Sequence, residues 1–221
     1  MLDIIYISFI ALSALTGLLL WNPSTPAPYK LLTVFLMITF LNESTCFILK
    51  KEGIRTHILY NTYYYIRFPL IGWMYYKLVY RNQFFSLFIR AFLTLSIGLF
   101  FLCLYLYDGF TKLHTVYLLA GGIFTIALCL MYLLSLLRND EIINPFVTPF
   151  FWISTGFFFF FLGVLPYLGM INFLVKNYAI FAEQPLILVK LLSILLYSLI
   201  SIDFLVQWKQ TKFKYGFMPS A

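Results

Sequence analysis

Phe157-Phe158-Phe159-Phe160-Phe161-Leu162 lies inside an apolar run that extends from Pro145 to Met170 without one charged residue. Nothing in it alternates. A transmembrane barrel strand alternates apolar and polar side chains over about ten residues, and Leu191-Leu192-Ser193-Ile194-Leu195-Leu196 does not follow that pattern either. An α-helix needs about 20 apolar residues to cross a bilayer. The stretch therefore predicts a membrane-spanning helix and argues against a barrel.

Working outward, six further runs have the same character: Ile4–Trp21, Tyr29–Leu49, Ile58–Tyr80, Phe84–Tyr107, Leu113–Leu137 and Leu186–Trp208. The breaks between them carry turn chemistry. Asn22-Pro23-Ser24-Thr25-Pro26-Ala27-Pro28 cannot stay helical, because each proline removes a donor and clashes with the preceding turn. Lys50-Lys51-Glu52-Gly53 and Arg138-Asn139-Asp140-Glu141 interrupt the pattern elsewhere. The expected fold class is all-α, a polytopic membrane bundle of seven transmembrane helices. One transmembrane domain, residues 1–208, is followed by a short basic tail, residues 209–221. The short connections predict antiparallel neighbours. Pro69 and Gly72 predict a kink in the third helix. The first run has only Asp3 before it and no small-x-small cleavage site, so it is expected to be a retained helix and not a cleaved signal peptide.

Composition leads to the same solvent. Of 221 residues, 62% are hydrophobic and 10% charged, with a mean hydropathy of +0.92. A soluble domain carries about 25% charged residues. The net charge of +7 is spread singly or in pairs between apolar runs. That suits phospholipid headgroups and topology, and it argues against nucleic acid. Cys46, Cys103 and Cys129 lie in apolar runs at no metal spacing, and His57 and His114 are far apart in loops. No metal or other cofactor is expected. The Phe-rich stretches read as lipid-facing filler.

Charges within the spans are the informative residues, since each costs about 2.5–3.5 kcal/mol at a helix centre. Glu43 and Arg67 fall at comparable depth in the second and third helices, which run in opposite directions from the loop between them. Thr39, Glu43, Cys46 and Lys50 share one helical face, and Tyr60, Tyr63, Tyr64 and Arg67 share another. Two readings stand: a structural ion pair that sets helix register, or a site that senses a ligand. Within hydrogen-bonding reach, directly or through Tyr64, the pair would be joined by Asn42 and Asn61, and by Lys190 and Tyr197 of the seventh helix. Lys190 lies close enough to its helix start to snorkel to headgroups, which makes a retinal Schiff base there a poor reading. Asp203, Arg90 and Ser154 are polar positions in the other half, and Arg81, Arg90 and Arg138 are candidate partners of Asp203. There is no HExxH, GxSxG or Gly-rich phosphate loop.

Glu43, Leu59-Tyr60-Asn61-Thr62-Tyr63-Tyr64-Tyr65-Ile66 and Phe151-Trp152-Ile153-Ser154-Thr155-Gly156 together carry a resemblance. The chain resembles small seven-helix bacterial membrane proteins whose relatives serve as sensor modules of histidine kinases. Those relatives carry an acidic residue just after the Tyr-rich stretch, where this chain has Arg67. The resemblance implies a non-enzymatic sensor or signalling accessory subunit in a bacterial inner membrane. It would act through a separate membrane or cytoplasmic partner such as a histidine kinase, on a small-molecule or lipid ligand. A small transporter or channel is the first alternative, and a lipid-modifying enzyme the second.

Seven spans place the termini on opposite sides. The C-terminal side then carries Lys30, Lys77, Arg81, Arg90, Arg138, Lys209, Lys212 and Lys214, against Lys50, Lys51, Arg55, Lys112, Lys176 and Lys190 on the other. The positive-inside rule predicts an external N-terminus and a cytoplasmic C-terminus. Trp21, Tyr80, Trp152 and Trp208 fall near the inner interface as an aromatic belt. In intact cells an N-terminal tag should be labelled by an impermeant reagent and a C-terminal tag only after permeabilisation. A C-terminal tag labelled from outside would reverse the topology.

Overall fold

A computed structural model describes residues 2–23, 25–79, 83–107, 109–138, 144–177 and 184–216, in backbone only at 171–173, 175–177, 184–185 and 211–216. Seven α-helices account for it: α1 (Leu2–Leu19), α2 (Ala27–Lys51), α3 (His57–Val79), α4 (Gln83–Leu106), α5 (Thr115–Leu137), α6 (Phe151–Asn177) and α7 (Gln184–Gly216). The described residues contain no strand. The face that bears the start of α1, α3, α5 and α7 is called the N-side below, and the opposite face the C-side. Tyr80, Arg81 and the side chains of Lys176, Lys212 and Lys214 lie outside the described residues. The backbone of the basic tail continues α7 as helix as far as Gly216.

Six of these helices are long and apolar enough to cross a membrane. Their apolar windows are only 22–44% buried, so the outer faces are apolar as well. Such a surface is stable only against hydrocarbon, and the chain is a multi-pass membrane bundle. α3 has the length, 23 residues or about 35 Å, but falls short in apolarity because it carries Arg67, Asn61 and a series of tyrosines. Packing accounts for this. Asn61, Tyr63, Arg67 and Tyr75 are buried against other helices, so their polar atoms do not face lipid.

The helices form a closed ring in the order α1, α2, α3, α5, α6, α7, with α7 returning to α1. α4 lies outside the ring, in the groove between α3 and α5. There Phe92 stacks on Phe124 with centroids 3.5 Å apart. Small residues set the close approaches, as expected where lipid supplies no hydrophobic drive between helices. Ser13 of α1 donates to the Tyr197 carbonyl of α7 at 2.6 Å and lies 2.9 Å from Ser201 Oγ. Gly121 of α5 lies flat against the Phe68 ring of α3.

Two expectations change. α6 begins at Phe151, not Pro145; Pro145–Val147 is a single 3-10 turn. Pro149 keeps Thr148 extended (φ −75°, ψ 133°), as a residue before proline prefers. Nor is the Phe run lipid-facing filler. Phe157, Phe160 and Phe161 are buried while Phe159 is half exposed, because i, i+3 and i+4 share one helical face. The third helix is continuous through Pro69. The belt residues Trp21 and Trp208 are exposed at the C-side ends of their helices.

A Cβ at Gly121 would sit 2.3–2.5 Å from atoms of the buried Phe68 ring, whereas one at Gly98 would meet nothing within 4 Å. Gly121→Ala should cost about 1–3 kcal/mol through overpacking. Gly98→Ala, on a lipid-facing turn, should be neutral or stabilising by up to about 1 kcal/mol. Thermal unfolding in detergent reads both, and equal effects would contradict this packing.

Candidate functional site

Two buried charges stand inside the bundle, in opposite halves and in opposite states of satisfaction. Asp203 of α7 is 1% exposed. Its Oδ2 accepts from Tyr29 Oη of α2 at 2.6 Å and from the Phe150 amide at 3.3 Å, and its Oδ1 accepts from the Trp152 amide at 3.2 Å. The first amides of a helix have no partner within the helix. Phe150, which precedes α6, and the first helical residues Phe151 and Trp152 offer no capping oxygen, and Phe150 adopts a left-handed backbone (φ 64°). Asp203 caps that end from across the bundle, where a carboxylate also complements the helix dipole.

The same corner is tied down further. Tyr132 of α5 donates to the Pro149 carbonyl, and Gln210 of α7 to that of Val147. Tyr75 Oη of α3 lies 2.7 Å from Ser154 Oγ and 3.3 Å from Cys129 Sγ. Ser154 is thus part of a structural junction of α3, α5 and α6. The expected pairing of Asp203 with Arg90 or Arg138 is not found. The Arg90 Nε donates to the Ser86 carbonyl of its own helix at 3.4 Å, and Arg138 is exposed beyond the end of α5. Arg81 lies outside the described residues.

The N-side half is different. Arg67 is 7% exposed, and its Nε and Nη2 have no protein hydrogen-bond partner. Around its guanidinium lie the rings of Phe35, Tyr63, Phe68, Phe160 and Phe161, with centroids 5.0–6.0 Å from Cζ. α2, α3 and α6 supply these rings, and Tyr6, Tyr64 and Tyr197 lie near the same charge. The guanidinium therefore lies within the ring of helices, held by aromatic faces. Such contacts are worth about 0.5–2 kcal/mol each when well placed.

Glu43 is not its ion-pair partner. Its Oε2 accepts from Tyr60 Oη at 3.3 Å, and that hydroxyl accepts from Lys50 Nζ at 3.2 Å. Lys50 also stands 5.0 Å from the centroid of the Tyr60 ring, and Tyr6 lies against the same carboxylate. The chain Lys50–Tyr60–Glu43 satisfies the acid from the N-side surface, which is why it does not need Arg67. Thr39, on the Glu43 face, lies 2.8 Å from Tyr63 Oη. Tyr60 stacks on Tyr64, and Tyr64 on Phe68, at 6.1 and 6.3 Å. A ladder of rings thus descends α3 from the N-side to the floor of the Arg67 cage.

Of the remaining candidates, Tyr64 and Tyr197 belong to this cluster. Asn61 does not. Its Oδ1 accepts from the His114 amide at 3.0 Å and its Nδ2 donates to the Lys112 carbonyl at 2.8 Å, so it clamps the α4–α5 connection to α3. His114 completes that clamp with ring nitrogens 2.5 Å from Tyr65 Oη and 2.8 Å from the Gly109 carbonyl. Lys190 is also outside the cluster. It pairs with Asp3 of α1 at 2.8 Å, a half-exposed bridge at the N-side, and no other ion pair occurs among the described residues. Asn42 is half buried with Nδ2 unpartnered. The three cysteines are free and buried. Among the described residues no three His, Cys, Asp or Glu side chains converge as metal ligands.

Tyr6 and the aromatic floor of the cage are what the sequence reading missed. The i, i+3, i+4 spacing of Phe157, Phe160 and Phe161 was an available signal for the floor. No family model matches this chain, and neither does any curated protein or solved structure.

The two charges should respond oppositely to removal. Asp203→Ala strands three donors and should cost at least about 2 kcal/mol. Arg67→Met should be neutral or stabilising, since replacing an unpaired buried charge by an apolar side chain relieves desolvation. In a double-mutant cycle, Glu43→Gln and Arg67→Met should add to within about 0.5 kcal/mol. Chemical unfolding in detergent measures all four proteins. A large loss on Arg67→Met, rescued by Glu43→Gln, would restore the ion pair.

Proposed function

We propose that this chain is a seven-helix membrane sensor or signalling accessory subunit that works through a separate partner. The single observation that carries the reading is Arg67: a guanidinium inside the bundle whose Nε and Nη2 donate to no protein group. A purely structural arginine at that depth would be expected to hold a carboxylate. An unsatisfied charge in a membrane interior is by default a functional site. The cluster sits at the N-side, and α7 links it to the C-side. Tyr197 of that helix faces the cage, and Asp203 nearly two turns on holds the start of α6. A change at the cage therefore has a mechanical route to the helix that carries the basic tail, where a histidine kinase or another membrane or cytoplasmic protein would dock.

A transporter would need a polar path from the cage to the C-side. Below Arg67 the way is filled by the buried side chains Phe35, Phe68, Phe157 and Phe161, which favours sensing over passage. A lipid-modifying enzyme would need a nucleophile or paired carboxylates at one interface. Glu43 and Asp203 are engaged separately, one by Tyr60 and the other by Tyr29 and the α6 amides.

The test is gentle extraction of the tagged chain from native membranes, with quantitation of co-purifying signalling proteins and of their phosphorylation. A specific partner should co-purify. Arg67→Met should change its output without changing the amount of folded chain. Solute or ion flux into proteoliposomes above the protein-free rate would favour the transporter instead. No partner together with unchanged output in the variant would sink the sensor reading.

A further inference from the structure

The two unpartnered nitrogens of Arg67 are not an arbitrary pair. Nε–H and one Nη2–H point the same way and form the side-on fork of the guanidinium. That fork matches the two oxygens of a carboxylate or a phosphate in a bidentate contact. Both of its atoms are buried and without a protein acceptor. Glu43, the acid closest in kind, is already held by Tyr60 and, through it, by Lys50.

We propose that the side-on fork of Arg67, inside its cage of Phe35, Tyr63, Phe68, Phe160 and Phe161, is the receiving end of a site for a monovalent oxyanion, a carboxylate or a phosphodiester. The proposal rests on the sensor reading of this cluster and names the chemistry of its ligand. Three features of the site set that chemistry. The fork requires two oxygens on one atom. The rings exclude water, so a charge-assisted bidentate contact is worth more there than at a surface. Lys50 and Glu43, joined through the Tyr60 hydroxyl, offset each other and leave the single positive charge of Arg67, which a monoanion neutralises and a dianion overshoots. Such a ligand would reach the cage from the N-side, along the ladder of Tyr60 and Tyr64 and past Lys50. It comes either free from that side or as the head of an anionic lipid.

The full-length chain in nanodiscs distinguishes these sources. In phosphatidylcholine discs, the melting temperature is followed against benzoate and dimethyl phosphate, with sodium chloride at matched ionic strength as the blank. In a second set the discs contain phosphatidylglycerol and no added anion. A saturable rise with a free probe assigns a free oxyanion, and a rise only in phosphatidylglycerol discs assigns a lipid headgroup. In either case Arg67→Lys, which keeps the charge but loses the fork, should weaken the response by about tenfold or more. Arg67→Met should abolish it, and Lys209→Met at the C-side should leave it intact. No rise with any probe, or an equal rise in Arg67→Met, overturns the site. Binding that depends on Arg67 without any effect on partner output would remove the sensor reading and keep the site. Arg67-dependent output without binding would do the reverse.

Discussion

A helix that starts inside a low-dielectric bundle must find acceptors for its first amides, and here one carboxylate meets that demand for α6. Asp203 reaches from α7 to the amides of Phe150 and Trp152 and takes the Tyr29 hydroxyl from α2. The contact therefore fixes the mutual position of three helices with one side chain. Phe150 can keep its left-handed backbone because Asp203 holds its amide and its ring packs on Tyr29 at 4.8 Å. The ring of helices closes at α7, between α6 and α1. Without this cap, the α6 side of that closure would begin with unsatisfied donors in a medium that cannot solvate them.

The other buried charge is informative because it lacks such a solution. Asp203 and Arg67 are both nearly inaccessible, yet one is fully engaged and the other leaves its fork unused. Folding alone would favour an apolar residue at Arg67. The aromatic cage moderates the cost by presenting π faces to the cation without consuming its N–H donors. That combination stabilises a charge while leaving its hydrogen-bonding capacity free. Glu43 shows the complementary case: its partner chain leads outward to Lys50 at the N-side surface, so its carboxylate is engaged without closing on Arg67.

Much of the architecture was legible along the chain. Long unbroken apolar runs state the solvent and the element type at once, because only a helix satisfies its own backbone in hydrocarbon. The breaks were readable where proline and charged residues cluster. The start of α6 was not, since the apolar run passes through Pro145 and Pro149 without a change in hydropathy, and only the backbone restriction before proline separates turn from helix. The candidate site was legible by membership more than by connection. Tyr64 and Tyr197 lie near Arg67, whereas Asn61 and Lys190 turned out to join other elements.

The sequence by itself determined that this is a lipid-embedded helical bundle, that Glu43, Arg67 and Asp203 are its costly residues, and that Tyr60, Tyr63, Tyr64 and Arg67 share one face of α3. Those conclusions follow from local quantities, hydropathy and period, which do not depend on which helix lies next to which. Only the tertiary structure decided the partners. A carboxylate and a guanidinium at equal depth on adjacent helices look like a pair until azimuth is known. Rotation of α2 and α3 about their own axes turns Glu43 toward Tyr60 and leaves Arg67 among rings. Azimuth is a property of the assembled bundle, and no single run of residues encodes it.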